Sequence, residues 1–254
     1  MSIEFNMIKC WYGRPEELPE DMVDYGFNEI LSDTERARNS RYRHDRDRRL
    51  HLMARLMVRT LLSRYQQEIS PHEWIFDQDL HGKPYISGPS DVVNRFHFNI
   101  SHTDGLAVVA ISRLGQVGVD VENPVRQTDY DGLAGRFFSR IEADHIKNAD
   151  ISVKASDFFR IWTLKEAYVK AIGKGLAHGL DSYWFRPTAS DLAGKGRSEL
   201  LLIDPVTGEF RAEVGWDCWS RQIGDRPGWL ISVVARREAE NQFGTDLEIQ
   251  PWIF

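Results

Sequence analysis

Apolar and polar residues alternate along Phe96-His97-Phe98-Asn99-Ile100-Ser101, with Phe96, Phe98 and Ile100 on one side of the chain. A two-residue period of this kind predicts a β-strand with one buried face. Leu106 to Ser112 reads as a second strand after the Thr103-Asp104-Gly105 turn, and a third follows Leu114-Gly115-Gln116. In the third, Val117, Val119 and Val121 share one side while Gly118, Asp120 and Glu122 share the other. Together the three strands predict a meander.

Elsewhere the period lengthens to that of a helix. Ser32-Asp33-Thr34-Glu35 has the form of a capping box and opens an arginine-rich helical stretch. From Leu50 to Tyr65 the apolar residues Leu52, Met53, Leu56, Met57, Leu61 and Leu62 recur at helical spacing, and Ser70-Pro71 follows. Gly82-Lys83-Pro84 predicts a turn, because a residue before proline avoids helical geometry. The longest helix of the second half runs from Asp157 to Ile172 and stops at Gly173-Lys174-Gly175. Strands are expected at Leu200–Ile203, Phe210–Trp216 and Trp229–Ala235, parted by turns at Asp204-Pro205, Thr207-Gly208 and Arg226-Pro227-Gly228. Each half thus has a long helix and several strands, which suggests two similar α+β halves joined near residues 112 to 118.

Composition narrows the classes. The chain of 254 residues is 42% hydrophobic and 28% charged, the balance of an ordinary globular protein. No apolar run nears the length of a membrane span, and Met1 to Cys10 lacks a secretory layout, so a cytoplasmic protein without membrane partners is expected. Cys10 and Cys218 fit no metal or redox spacing. The net charge of −6 argues against a protein that holds nucleic acid through a global positive field. One segment departs from this: ten arginines between Arg36 and Arg64 face only Asp45 and Asp47.

Two stretches concentrate chemistry. Asp120 and Glu122, two apart on a strand, point the same way and repel unless a cation lies between them. A hard divalent ion such as Mg²⁺ suits such oxygen donors, while the plain alternative is the solvated face of an antiparallel strand. In Trp162-Thr163-Leu164-Lys165-Glu166-Ala167-Tyr168-Val169-Lys170 the helix is apolar on nearly all sides. Only a strip with Thr163, Glu166 and Lys170 is polar. Lys165 falls among apolar residues, where it must snorkel or find an anion. Ser101 and His102 end a strand together. Adjacent strand residues diverge and no nucleophile elbow is present, so a phosphate contact fits them better than serine hydrolysis, an idle turn histidine being the alternative.

Phe98-Asn99-Ile100-Ser101-His102, Gly118-Val119-Asp120-Val121-Glu122, Arg136-Phe137-Phe138-Ser139 with Glu142, and Trp162 to Lys170 followed by Gly173-Lys174-Gly175-Leu176 resemble, in order and spacing, the motifs of the surfactin-type 4'-phosphopantetheinyl transferases. The resemblance spans about residues 30 to 185. It implies two pseudo-symmetric α+β halves, residues 1–114 and 115–254, with the active site in the cleft between them, acting as a monomer. The activity it implies is transfer of 4'-phosphopantetheine from coenzyme A to a serine of an apo acyl or peptidyl carrier protein, releasing adenosine 3',5'-bisphosphate. Mg²⁺, or Mn²⁺ in its place, would be held by Asp120, Glu122 and Glu166. Glu166, Lys170 and Asp120 match the catalytic positions, with Lys170 at the coenzyme A diphosphate. Ser101 and His102 match contacts to its 3'-phosphate region, Lys83 the adenine end, and Arg38 and Arg49 basic residues gripping the nucleotide phosphates. A metal-dependent phosphoesterase using the same carboxylates, and a non-catalytic module that binds acidic carrier proteins or nucleic acid through the arginines, are the competing readings.

Overall fold

A computed structural model of the chain describes residues 7–175, 179–188, 196–204, 206–224, 228–237 and 246–253. The contacts divide it into two units, residues 1–114 with 246–254, and residues 115–245.

In the first unit, strands β1 (Met7–Gly13), β4 (His97–Thr103), β5 (Leu106–Ser112) and β12 (Asp246–Pro251) form a sheet in the order β12-β1-β5-β4. β12 runs parallel to β1, and the other pairs are antiparallel. Ser32 caps helix α2 (Asp33–Asn39) through the expected box with Glu35, and α3 (Asp45–Tyr65) starts a turn before the predicted Leu50. Leu52, Leu56, Met57, Leu61 and Leu62 of α3 pack in one core with Phe98, Ala107, Val109 and Ile111 of the sheet. Burial of this apolar stripe, not local propensity, is what stabilises so long a helix. Strands β2 (Ile75–Gln78) and β3 (Pro84–Gly88) make a hairpin, and Gly82 takes a positive φ in the expected turn. There the Asp79 carboxylate accepts the N–H groups of His81 and Lys83.

In the second unit, β6 (Val117–Glu122), β7 (Tyr183–Pro187), β8 (Arg197–Ile203), β10 (Trp216–Ile223) and β11 (Trp229–Arg236) run in the order β6-β11-β10-β8-β7, with short β9 (Phe210–Ala212) on β8. Helices α4 (Tyr130–Phe137) and α5 (Arg140–Asn148) lead to α6 (Ile151–Ile172), which lies against β6 and β11. Asp150 caps α6, and Gly173 closes it in the left-handed conformation.

Several expectations are corrected. The meander does not form: β6 pairs antiparallel with β11, its alternation having revealed a face but not a partner. β4 is buried on both sides, Asn99 and Ser101 as well as Phe98. A single strand over Phe210–Trp216 is interrupted by the turn at Gly215, so β9 ends at Ala212 and β10 starts at Trp216. Residues 246–254, expected with the second half, belong with the first because β12 closes the edge of β1. Residues 1–6, Leu176, Pro205, Arg226 and Pro227, which carried expectations about the amino terminus and turns, lie outside the described residues.

Candidate active site

The second unit gathers Asp120, Glu122, Glu166 and Lys170, and a glycine makes this possible. A Cβ on Gly118 would stand 1.9 Å from the Ala167 carbonyl oxygen and 2.5 Å from the Ala171 nitrogen, so β6 approaches the backbone of α6 where no side chain fits. Asp120, next along the same face, then meets the polar strip of the helix. Lys170 Nζ donates to Asp120 Oδ1 at 2.6 Å and to the Val119 carbonyl at 3.3 Å. Asp120 is only 6% exposed, which rules out the solvated-face reading of this strand.

Two neighbours feel that buried charge. Burial first, then the Asp120 and Glu122 charges, push the Glu166 carboxyl up from 4.5 to about 7, against the pull of Lys170. Glu122 is also raised, by burial and then Asp120, with Arg126 and Lys170 opposing. Arg126 Nη1 lies 4.0 Å from Glu122 Oε1. Behind the carboxylates runs a row of buried hydroxyls: Ser232, opposite Asp120 on β11, is 2.7 Å from Thr163 Oγ1 of α6 and donates to Ser220 Oγ at 3.1 Å. A carboxyl titrating near neutrality can accept or hold a proton, and the lysine beside it can neutralise an anion.

Lys165, the unsettled cation of the sequence, finds its anion on the other side of the helix. Its Nζ is 2.8 Å from Glu142 Oε2 and donates to the Leu180 and Tyr183 carbonyls at 2.7 and 2.8 Å, beneath the ring of Tyr183. Glu142 in turn accepts from the Ser139 N–H and hydroxyl and from the Phe185 N–H. The Ser139 to Glu142 capping box of α5 is thus also the counter-ion of α6. Burial lowers the Lys165 pKa, with Glu142 opposing, and full pairing keeps so costly a charge in place.

The remaining expected residues belong to the first unit. Lys83 stands at the hairpin turn, half-buried, and burial draws its ammonium down to about 8 while Asp79 opposes. Ser101 is buried and His102 exposed, the divergence expected of neighbours on a strand. Arg38 lines a cavity of about 560 Å³ together with Glu35, His51, Arg55, Arg59 and Trp74. Arg49 is drawn elsewhere: its guanidinium bonds to Glu20 at 2.6 Å and to the Leu18 and Pro15 carbonyls at 2.6 and 3.4 Å, pinning the segment before α3.

His51 was not among the expected site residues, and Arg55 stood only as one of the ten clustered arginines. Burial, followed by Arg55, brings His51 down to about 4, so it is neutral at pH 7. Its Nδ1 is 3.1 Å from the Asn39 side-chain nitrogen, which also donates to the Arg48 carbonyl. That assigns the ring proton to Nε2, a buried atom with no partner among the described residues. The available signal was a histidine on the apolar stripe of α3.

Among the described residues no three His, Cys, Asp or Glu side chains stand close enough to hold a metal ion as placed. The donor set nevertheless suits a hard cation. Three carboxylates share Lys170, with Arg126 at 4.0 Å from Glu122, and burial first, then their mutual repulsion, raises Glu122 and Glu166, a crowding of oxygen donors that a divalent cation relieves.

Comparison with known proteins agrees across both units. Residues 116–206 match the 4'-phosphopantetheinyl transferase superfamily profile, and residues 23–114 match the profile described as 4'-phosphopantetheinyl transferase, N-terminal. The 4'-phosphopantetheinyl transferase HetI of Nostoc sp. is 33% identical over 70% of this chain and 72% of its own length. The 4'-phosphopantetheinyl transferase Sfp of Bacillus subtilis is 31% identical over 82% of this chain and 84% of its own. A Synechocystis sp. protein, slr0495, is 32% identical over 61% of this chain and 62% of its own length, just under two thirds. With matched profiles on both sides of residue 115 and two relatives covered over most of their length, the chain belongs to the 4'-phosphopantetheinyl transferase family.

Proposed function

We propose that the protein transfers 4'-phosphopantetheine from coenzyme A to a serine hydroxyl of an apo carrier protein and releases adenosine 3',5'-bisphosphate. The observation that carries this reading is the convergence of Asp120, Glu122, Glu166 and Lys170, with Glu166 titrating at about 7. Asp120, Glu122 and Glu166 are the residues to hold Mg²⁺, with Mn²⁺ as substitute, and the bound ion would supply charge neutralisation at the coenzyme A diphosphate. Glu166, its proton affinity raised by burial, accepts the proton of the attacking serine. The serine oxygen bonds to the phosphorus that carries the pantetheine arm, the bond to the bridging oxygen breaks, and Lys170 neutralises the charge left on the bisphosphate.

In the first unit, Lys83, Ser101 and His102 are assigned to coenzyme A. Arg38 joins them through the cavity it shares with Arg55 and His51, whose guanidinium and N–H groups are donors for a phosphate. Arg49, already bonded three times, is left out of this set. No helix among the described residues is long and apolar enough to cross a membrane. Action in the cytoplasm as a monomer, on carriers of fatty acid, polyketide or nonribosomal peptide synthesis, completes the proposal.

The test mixes the protein with coenzyme A, Mg²⁺ and a panel of apo carrier proteins, with mass spectrometry as readout. One phosphopantetheine is added to at least one carrier, and Glu166→Gln loses the reaction. No addition to any carrier, or hydrolysis of coenzyme A without one, overturns the reading.

A further inference from the structure

The face of the second sheet that meets α6 is interrupted along one polar line. On β11, Leu230, Ser232 and Val234 alternate onto this face: Leu230 belongs to a buried apolar cluster with Phe158, Phe159 and Ile161 of α6, and Val234 to another with Leu164, Ala167 and Ala171. Ser232 separates the two. Thr163 of α6 and Ser220 of β10 extend the break across the interface, and Thr163 and Ser232 are 0% exposed. Valine or alanine at the three positions would complete one apolar layer, so hydroxyls that cost free energy to bury serve something other than packing.

Their bonds are directional. Thr163 Oγ1 lies 2.7 Å from Ser232 Oγ, and Ser232 donates to Ser220 Oγ at 3.1 Å, so the proton of the shorter bond comes from Thr163. The same hydroxyl lies 2.8 Å from the Phe159 carbonyl, the acceptor a threonine uses within its own helix. Ser232 is also the residue opposite Asp120 in the pairing of β6 with β11, and such cross-strand partners share a face. Thr163 precedes Glu166 by three residues and Lys170 by seven, which puts all three on one stripe of the helix. The seam is therefore bonded at both ends, by Thr163 to Ser232 and by Lys170 to Asp120, with Glu166 between them along the helix.

The two ends are not equivalent. Close approach of Gly118 to Ala167 and Ala171 sets how near α6 comes to β6, but non-directional apolar contacts leave the helix able to roll about that point. Lys170 cannot hold the roll during transfer, because its ammonium is then needed at the phosphates. We propose that the Thr163–Ser232 hydrogen bond is the permanent anchor of α6, and that Thr163 and Ser232 are positioning residues that set where Glu166 stands relative to Asp120. The inference rests on the transferase reading for the reaction that Glu166 serves.

The test measures transfer to an accepted apo carrier at temperatures well below the melting point of each variant. Thr163→Val, which keeps the volume and removes the hydroxyl, loses about tenfold in kcat and keeps the wild-type KM for coenzyme A and carrier. Ser232→Ala, which leaves Thr163 the Phe159 carbonyl, loses a similar amount, and the double variant loses no more than either because both remove one bond. Thr163→Ser keeps the hydroxyl and keeps kcat. Apart from turnover, the Mg²⁺ concentration giving half the rise in melting temperature increases about tenfold in Thr163→Val and stays at the wild-type value in Thr163→Ser. A pair that only stabilises the fold lowers the melting temperature of the Val and Ala variants with kcat and the Mg²⁺ midpoint unchanged, and that result overturns the proposal. Equal losses in Thr163→Ser and Thr163→Val overturn it too. If wild type modifies no carrier, the transferase reading fails and the Mg²⁺ midpoint decides the anchor; with transfer but no thermal response to Mg²⁺, the kcat series decides it. A wild type with neither overturns both.

Discussion

Lys165 Nζ lies 2.8 Å from Glu142 Oε2, and both side chains are buried. Replacing one member of such a pair leaves the other uncompensated in an apolar interior. Lys165→Met should destabilise the protein by about 3–5 kcal/mol, and Lys165→Met/Glu142→Leu should recover most of that loss. Denaturant midpoints of the single and double variants measure the difference. Equal losses in both would show that the pair is not what ties α5, α6 and β7 together.

Glu166 sets a pH dependence whose sign follows from its environment. Its pKa in the fold, about 7, lies above the ordinary 4.5, so the protonated form is the one the fold favours. The stability it contributes is complete below about pH 4.5 and is lost as pH rises through 7. Without divalent ions, melting temperature should fall across that window in wild type and stay flatter in Glu166→Gln. Lys170 draws the Glu166 pKa down, so Lys170→Met should move the window to higher pH.

Divalent ions provide a check on the proposed ligands. Mg²⁺ should raise the melting temperature of wild type at pH 7.5, where Lys170 only partly offsets the charge that Glu166 must carry. Asp120→Asn and Glu122→Gln should weaken that response at least tenfold in Mg²⁺ concentration, as loss of one carboxylate ligand implies. Differential scanning fluorimetry over a Mg²⁺ titration reads this directly, and an unchanged response in both variants would rule the trio out as ligands.

Gly118→Ala should be costly out of proportion to one methyl group. The added carbon would stand 1.9 Å from a backbone oxygen of α6, and no side-chain rotation relieves it. We expect a loss of about 3 kcal/mol, with transfer activity falling further still because the strand–helix spacing brings Asp120 to Lys170. Activity per folded molecule, with near-ultraviolet circular dichroism as control, separates the two effects.

Local signals carried much of this structure. The capping box at Ser32, the glycine stop at Gly173 and the alternation through Val117–Glu122 each predicted an element that is present. The helical wheel also separated Lys165 from the strip of Glu166 and Lys170, and the two lysines indeed meet different anions. What local pattern lacked was partnership. β6 pairs with a strand more than 100 residues later, and β12, Asp-Leu-Glu-Ile-Gln-Pro, is too polar to announce a sheet. Glu142 was visible as part of a motif, yet nothing in its spacing revealed that it faces Lys165. His51 was hidden for the opposite reason, as a polar residue inside an apolar stripe.

Trp252 anchors the last strand to the first unit: its N–H bonds to the Tyr12 carbonyl at 2.7 Å and its indole to Thr60 Oγ1 at 3.3 Å. Trp252→Ala should cost about 3 kcal/mol and speed hydrogen exchange in β1, with β10 and β11 little affected. The ion pair of Lys9 with Glu248 is partly exposed on the glutamate side, and Glu248→Gln should change stability by less than about 1 kcal/mol.

The parallel pairing of β12 with β1 bears on how the molecule is made. β1 ends at Gly13, but the strand that covers its edge, residues 246 to 251, is synthesised more than 200 residues later. Throughout synthesis of the intervening chain, β1 presents unpaired backbone groups of the kind that recruit strands from other molecules. Nascent chains of this protein should therefore be vulnerable to aggregation until residues 246 to 251 emerge, and termination shortly before residue 246 should yield the least soluble products.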